Sequence, residues 1–132
     1  AAMKRSPVSP LNKALYERLT GALSVGIYDY EKKKKKAPYV VLTETSAQSW
    51  DAKTFGGADV LATVKVLSEY QGDKEVAAIC DAAILAVLAN PLVLSGFWQV
   101  ARASVDSHSI ERLDTHREGT IVFRFMILDT KE

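Results

Sequence analysis

The most regular pattern in this sequence is an α-helical repeat of apolar residues between positions 74 and 89. Gly72-Asp73 precedes the repeat as a turn and helix cap, and Asn90-Pro91 follows it, where proline cannot continue a helix. The spacing predicts a helix over about 74–89 with one apolar face, which has to pack against another layer of structure. The residues at i, i+3, i+4, i+7, i+8, i+11 and i+12 are Val76, Ile79, Cys80, Ala83, Ile84, Val87 and Leu88.

A weaker repeat near the start of the chain predicts another amphipathic helix, over about 10–23. Ser9 is the expected cap of this helix, and Pro10 suits its first position. The polar residues that precede it predict a flexible arm over 1–9. The residues at helical spacing are Leu11, Ala14, Leu15, Arg18, Leu19, Ala22 and Leu23.

Four segments rich in β-branched and aromatic residues predict strands, over 39–45, 60–69, 99–109 and 120–128. In the second segment the even positions from Val60 to Ser68 are the more apolar and are expected to face the core. The last segment is apolar on both faces, which is typical of a strand inside a sheet or one covered by a partner. The polar stretch from Ser46 to Asp59 is interpreted as the extended tip of a long antiparallel hairpin.

The order α-β-β-α-β-β predicts an α+β fold, in which both helices pack on one face of an antiparallel sheet with a long β-hairpin. The 132 residues, 48% hydrophobic and 25% charged, are expected to form a single domain over 1–132, with the folded part over about 10–128. No window approaches the roughly 18 consecutive apolar residues of a membrane span, and a signal peptide is not expected at the N-terminus. The single cysteine excludes an internal disulfide and indicates synthesis in a reducing, cytoplasm-like compartment.

The net charge of +1 conceals a strong asymmetry. Five consecutive lysines stand at Lys32, Lys33, Lys34, Lys35 and Lys36. Without them, 12 basic residues face 16 acidic ones, so the rest of the chain carries a net charge of −4. Because neighbouring like charges repel, the run is interpreted as an exposed loop.

The candidate chemical groups do not assemble into a recognisable active site. Cys80 lies on the apolar face of its helix, which favours a buried structural thiol over a catalytic thiolate. Asp106, His108, Asp114 and His116 repeat a D-x-H pattern; they form either a transition-metal site, if a turn near 110–113 brings them together, or a solvated hairpin tip, which is the favoured interpretation. No nucleophile elbow or phosphate-binding glycine loop is present, so neither catalysis nor a cofactor is predicted.

Interaction residues are therefore the more promising candidates. Trp50 and Phe55 in the hairpin tip and Phe97-Trp98 after the second helix are either small clusters beneath a loop or parts of a protein–protein contact. The lysine run is interpreted as a solvated loop or as a loop that meets an acidic partner surface. Tyr28, Tyr30 and Tyr39 flank the run and slightly favour nucleic-acid binding, since aromatic side chains can stack on bases. A nucleic-acid-binding module that uses Lys32–Lys36 is the alternative function, although the acidic remainder of the chain disfavours it.

The sequence resembles the tail-completion, or tail-terminator, proteins of long-tailed bacteriophages over nearly the whole chain, from Leu11 to Leu128. The lysine run departs from the family, which usually has a short proline-containing loop there. The resemblance is carried by Leu15 and Leu19 before Gly26-Ile27-Tyr28, by Ala37-Pro38-Tyr39-Val40-Val41-Leu42 leading into Thr45, Trp50 and Lys53, by Val64-Lys65-Val66-Leu67-Ser68, and by Phe123-Arg124-Phe125.

The resemblance implies a structural protein of the virion and no enzyme. Such a protein would form a ring, typically a hexamer, that caps the finished tail tube and joins it to the head connector, after assembly in the host cytoplasm. Its partners would be further copies of itself, the tail-tube protein and the neck proteins. Genomic DNA would pass through the lumen without specific binding, and no membrane would be involved.

Overall fold

The computed structural model describes residues 5–28, 37–50 and 56–130. Two helices and five strands follow one another along the chain, so the predicted α+β class is confirmed. The elements are α1 (Val8–Ala22), β1 (Gly26–Tyr28), β2 (Tyr39–Ser49), β3 (Gly56–Ser68), α2 (Lys74–Leu88), β4 (Trp98–Arg112) and β5 (Arg117–Asp129).

The strands form one sheet in the order β1-β2-β3-β5-β4. The predicted antiparallel pairing is confirmed for the four strands β2 to β5. The sequence prediction missed β1, which pairs with β2 in parallel and makes the sheet mixed at that edge. Three residues are too few to produce a recognisable alternation, so β1 is defined by its pairing with β2 rather than by its sequence.

The long hairpin formed by β2 and β3 is confirmed, but its strands extend farther than predicted. Pairing continues to Ser49 opposite Ala58, and Trp50 donates its backbone N–H to Gly57 O at 2.9 Å. The connection is therefore about half as long as the Ser46–Asp59 interpretation required. The polar and glycine residues at these strand ends have low β-propensity, and pairing with neighbouring strands overrides it.

Both helices pack on the same face of the sheet, as predicted. The even positions of β3 from 58 to 68 and the odd positions of β5 from 119 to 127 point toward them and are buried, including Val64, Val66, Phe123 and Phe125. The first helix contributes Leu11, Leu15 and Leu19 to this core, and the second contributes Val76, Cys80, Ala83 and Val87. No helix within residues 5–28, 37–50 and 56–130 is long and apolar enough to cross a membrane.

The helix ends differ from the sequence prediction. α1 begins at Val8, and its cap residue is Pro7, whose carbonyl accepts the Leu11 N–H at 2.9 Å; Ser9 is not the cap. Pro10 lies within the first turn, where its missing N–H breaks no helical bond. Asp73 is the cap residue of α2, as predicted, but its side chain makes no capping hydrogen bond there.

Arg18 of α1 joins the two helices. Its guanidinium donates hydrogen bonds to Ala86 O at 2.8 Å, Asn90 O at 2.9 Å and Pro91 O at 3.2 Å. These carbonyls lie at the C-terminal end of α2, where backbone oxygens lack helical partners and the helix dipole favours a cation. The contact fixes α1 and α2 relative to one another.

The absence of a side chain at Gly119 of β5 allows α2 to lie directly on the sheet. A Cβ at this position would come 2.5 Å from Cys80 Sγ, closer than real Cβ contacts allow, and 3.2 Å from Val76 Cγ2, which is tighter than most such contacts. By contrast, a Cβ at Gly21 in α1 would meet nothing within 4 Å.

These two glycines form a matched pair for a stability test. Gly119→Ala is expected to lower the free energy of unfolding by about 1–3 kcal/mol, because the added methyl group pushes α2 off the sheet. Gly21→Ala is expected to raise it by about 0.5 kcal/mol, because alanine is the better helix former. Urea denaturation of both variants measures the difference, and equal effects would contradict the close packing at Gly119.

Candidate functional site

The face of the sheet that points away from the helices is the candidate functional surface, and we call it the outer face. No helix or strand in the described part of the chain packs on it. It carries a mixture of charged and apolar side chains that are mostly half-buried against one another. Its members include Ser46 and Gln48 of β2, Asp59, Leu61, Thr63 and Lys65 of β3, Val122, Arg124 and Met126 of β5, and Arg102 and Ser104 of β4.

A two-point ion pair between Asp59 and Arg124 lies at the centre of the outer face. Arg124 donates from Nε to Asp59 Oδ1 at 2.9 Å and from Nη2 to Asp59 Oδ2 at 2.6 Å. Asp59 is only 8% exposed, whereas the Arg124 side chain remains 47% exposed. These hydrogen bonds are the main reason that the pKa of Asp59 lies below its usual value and that of Arg124 above it.

A groove with one aromatic wall and two guanidinium groups runs beside this ion pair, and we call it the Trp50 groove. Its lining residues are Trp50, Arg102, Ser104, Arg124 and Met126. The Trp50 ring lies over Gly57, where a Cβ would come 3.1 Å from the ring and 2.6 Å from Ile127 O. Position 57 therefore has no room for a side chain, because the Ile127 and Trp50 carbonyl oxygens and the edge of the indole already occupy that space.

The side of Arg124 that lies away from the Trp50 groove is more acidic. Ser46, Gln48, Asp59 and Asp106 line a second depression there, and Asp106 further raises the pKa of Arg124 by electrostatic attraction. The outer face therefore presents cationic groups on one side of Arg124 and carboxylates on the other.

The structure places some predicted interaction residues and leaves others unassigned. Trp50 lies on the groove, Phe97 is 58% exposed, and Trp98 is half-buried with the Arg5 guanidinium 4.1 Å from its ring centroid. Lys32–Lys36 and Phe55 lie outside the described residues, so their roles, including the nucleic-acid alternative, stay predictions.

The four D-x-H residues do not converge. Asp106 and His108 lie on β4, at and beyond a bulge, while Asp114 and His116 belong to the turn that Leu113 N–H closes onto His116 O at 2.9 Å. His116 Nδ1 lies 3.0 Å from Thr115 Oγ1. Within the described residues, no three His, Cys, Asp or Glu side chains are placed to hold a metal ion. The turn lies at 113–116 rather than near 110–113. Asp106 and His108 therefore lie along β4, away from Asp114 and His116 in the turn.

Sequence reasoning did not identify Asp59, Arg102 and Arg124 as neighbours. The outward positions of β5 are unusually apolar for an exposed face, and this pattern agrees with the position of β5 inside the sheet, between β3 and β4. The pairing of Leu61 with Arg124 and of Ser104 with Arg124 is a matter of strand register, which short-range patterns do not specify.

Comparison with known proteins supplies the family. The family model described as tail completion protein gp17 matches residues 13–128. The chain belongs to this tail-completion family. It is therefore a structural protein of the phage-tail class, and the resemblance seen in the sequence is confirmed. No curated protein sequence matches the chain.

Solved structures of similar fold agree with the family assignment. A chain from the virion of a native gene transfer agent particle superposes with a TM-score of 0.81 at 21% identity, covering 95% of this chain and 99% of that one. The bacteriophage SPP1 gp17 protein superposes with a TM-score of 0.67 at 24% identity, covering 100% of this chain and 99% of that one. At these identities the likeness shows a shared fold.

As predicted, Cys80 of this tail-completion protein is a buried structural thiol. It is fully buried against Gly119, and burial, followed by repulsion from Asp81, raises its pKa to about 11. At pH 8 we therefore expect negligible reaction of the folded protein with a thiol reagent such as DTNB and complete reaction after unfolding in guanidinium. Rapid labelling of the folded protein would show that α2 does not stay on the sheet.

The Asp59–Arg124 pair predicts a defined pH dependence. Because the pKa of Asp59 is lowered by folding, its contribution to stability is complete above its usual value of 3.8 and is lost as the pH falls through the lower folded-state value. Asp59→Asn should flatten the fall in melting temperature on acidification, with the exposed turn variant Asp114→Asn as the control. If the melting temperatures of the wild type and Asp59→Asn fall by the same amount between pH 5 and pH 2, this role is contradicted.

Proposed function

We propose that this protein forms a ring that caps the finished tail tube and joins the tail to the head connector, and that the ring is a hexamer, as the family resemblance implies. The observation that carries the proposal is the family match over residues 13–128, nearly the whole chain. The ring would be a component of the virion, assembled in the host cytoplasm from further copies of the chain, the tail-tube protein and the neck proteins.

The described surface suits a subunit that works through contacts between proteins. Its polar groups are spread over a sheet face and bound to one another, as in the Asp59–Arg124 pair, rather than gathered around an enclosed cavity. Ring subunits meet through two different surfaces, one on each neighbour, and the rotation between neighbours closes the circle. A two-layer chain with helices on one side and an uncovered sheet on the other supplies two such surfaces.

The charge distribution supports passage of DNA through the ring without binding. Apart from the lysine run, the chain has a net charge of −4, and like charge keeps a polyanion from adhering. Tight, salt-dependent DNA binding that is lost when Lys32–Lys36 are changed to serine would instead favour a nucleic-acid-binding module.

Complementation in the particle-producing bacterium tests the proposal. Deleting the gene should yield separate heads and tails with unfinished or overlong ends in electron micrographs, because nothing caps the tube. Supplying the wild-type protein should restore joined particles, and the stability control Gly21→Ala should restore them equally. Normal numbers of joined particles in the deletion strain would refute the proposed role.

A further inference from the structure

The outward side of α2 carries an unusual combination of residues, which we call the α2 stripe. Asp81, Leu85 and Leu88 are spaced four and three residues apart, so they lie on one side of the helix, opposite the core residues. Leu85 is 70% exposed and Leu88 is 39% exposed. A carboxylate followed by two exposed leucines over about 10 Å is a compact surface that can be buried by a partner.

The Trp50 groove on the opposite side of the molecule has the complementary chemistry. Arg102 is exposed and makes no ion pair with any described residue, so its charge is available to a carboxylate from outside. Trp50 and Met126 provide half-buried apolar walls beside it. Tryptophan, methionine and arginine are the side chains enriched at protein–protein contacts.

The edges of the sheet are poorer candidates for contact between copies. β1 is only three residues long, and the pairing of β4 with β5 is interrupted between Val100 and Arg102 and again between Val105 and Ser107. Bulges of this kind twist an edge strand away from regular pairing with another strand. The two faces of the molecule remain as the surfaces that a second copy can cover.

We propose that the α2 stripe of one copy docks into the Trp50 groove of the next copy. Asp81 would pair with Arg102, and Leu85 would pack between Trp50 and Met126. The contact joins the helix layer of one subunit to the outer face of its neighbour, so every copy offers both halves and the arrangement can repeat around a ring. This inference rests on the proposed function and specifies the interface that closes the ring.

A charge exchange tests the pairing of Asp81 with Arg102. Alone, Asp81→Arg would set two guanidinium groups against one another, and Arg102→Glu would set two carboxylates against one another. Each variant should therefore self-associate at least about tenfold more weakly than wild type. In a 1:1 mixture, each contact between the two variants joins position 81 of one to position 102 of the other. Either both of these positions are altered or neither is, so opposite charges meet again and association should return. Sedimentation velocity over a concentration series measures this, with Glu69→Arg and Lys13→Glu as controls of equal charge change at other exposed sites.

A disulfide trap detects the same contact even when association is transient. Leu85→Cys and Ser104→Cys, placed in separate chains with Cys80 changed to alanine, should cross-link much faster when mixed than either variant alone under mild oxidation. Adding Arg102→Glu to the Ser104→Cys chain should slow the reaction. Far-ultraviolet circular dichroism of each variant verifies folding, so that loss of association is not mistaken for unfolding.

The outcomes separate this inference from the proposed function. No preferential cross-linking in the mixture, or no rescue when the charge variants are mixed, would overturn the interface even if the protein proves essential for joining heads to tails. Preferential cross-linking with charge rescue would establish the interface even if particles assemble normally without the protein.

Discussion

The close approach of α2 to the sheet at Gly119 is the constraint on which the rest of the structure depends. Cys80 occupies the space that a side chain at Gly119 would fill. The helix can therefore lie directly on β5, while the large side chains of Phe123 and Phe125 fill the core farther along the same strand. With α1 tied to the end of α2 by Arg18, both helices cover one side of the sheet and leave the other side open.

Ion pairs connect both ends of the β4–β5 hairpin to other segments of the chain. Arg112 and Arg117 lie directly opposite one another at the end of the β4–β5 hairpin, where like charges repel. Asp73, at the start of α2, lies 2.6 Å from Arg112 Nη2 and 3.3 Å from Arg117 Nε. At the other end of the hairpin, Arg5 pairs with Asp129 at 2.7 Å and brings the start of the described chain against β5. Each pair joins segments that are distant in sequence.

This distribution of charge suits the role that we propose for the protein as a repeated subunit. Its buried apolar residues pack into one core, and polar groups on the outer face, such as Asp59 and Arg124, hold one another in position through hydrogen bonds. The Asp59–Arg124 pair keeps Arg124 beside Arg102 without neutralising the latter, so the groove next to Trp50 retains a positive charge. The surfaces proposed for contact between copies are therefore preorganised, which reduces the entropy lost when subunits associate.

The sequence by itself determined the features that depend on short-range periodicity. It specified α2, the inward face of β3, the apolar strand β5 and the burial of Cys80, because each follows from which neighbours share one side of a helix or strand. Only the tertiary structure decided the parallel pairing of β1, the full length of the β2–β3 hairpin, the need for glycine at position 119 and the meeting of Trp50, Arg102 and Arg124. These features depend on strand register and on the distance between layers, which arise from contacts between residues far apart in the chain.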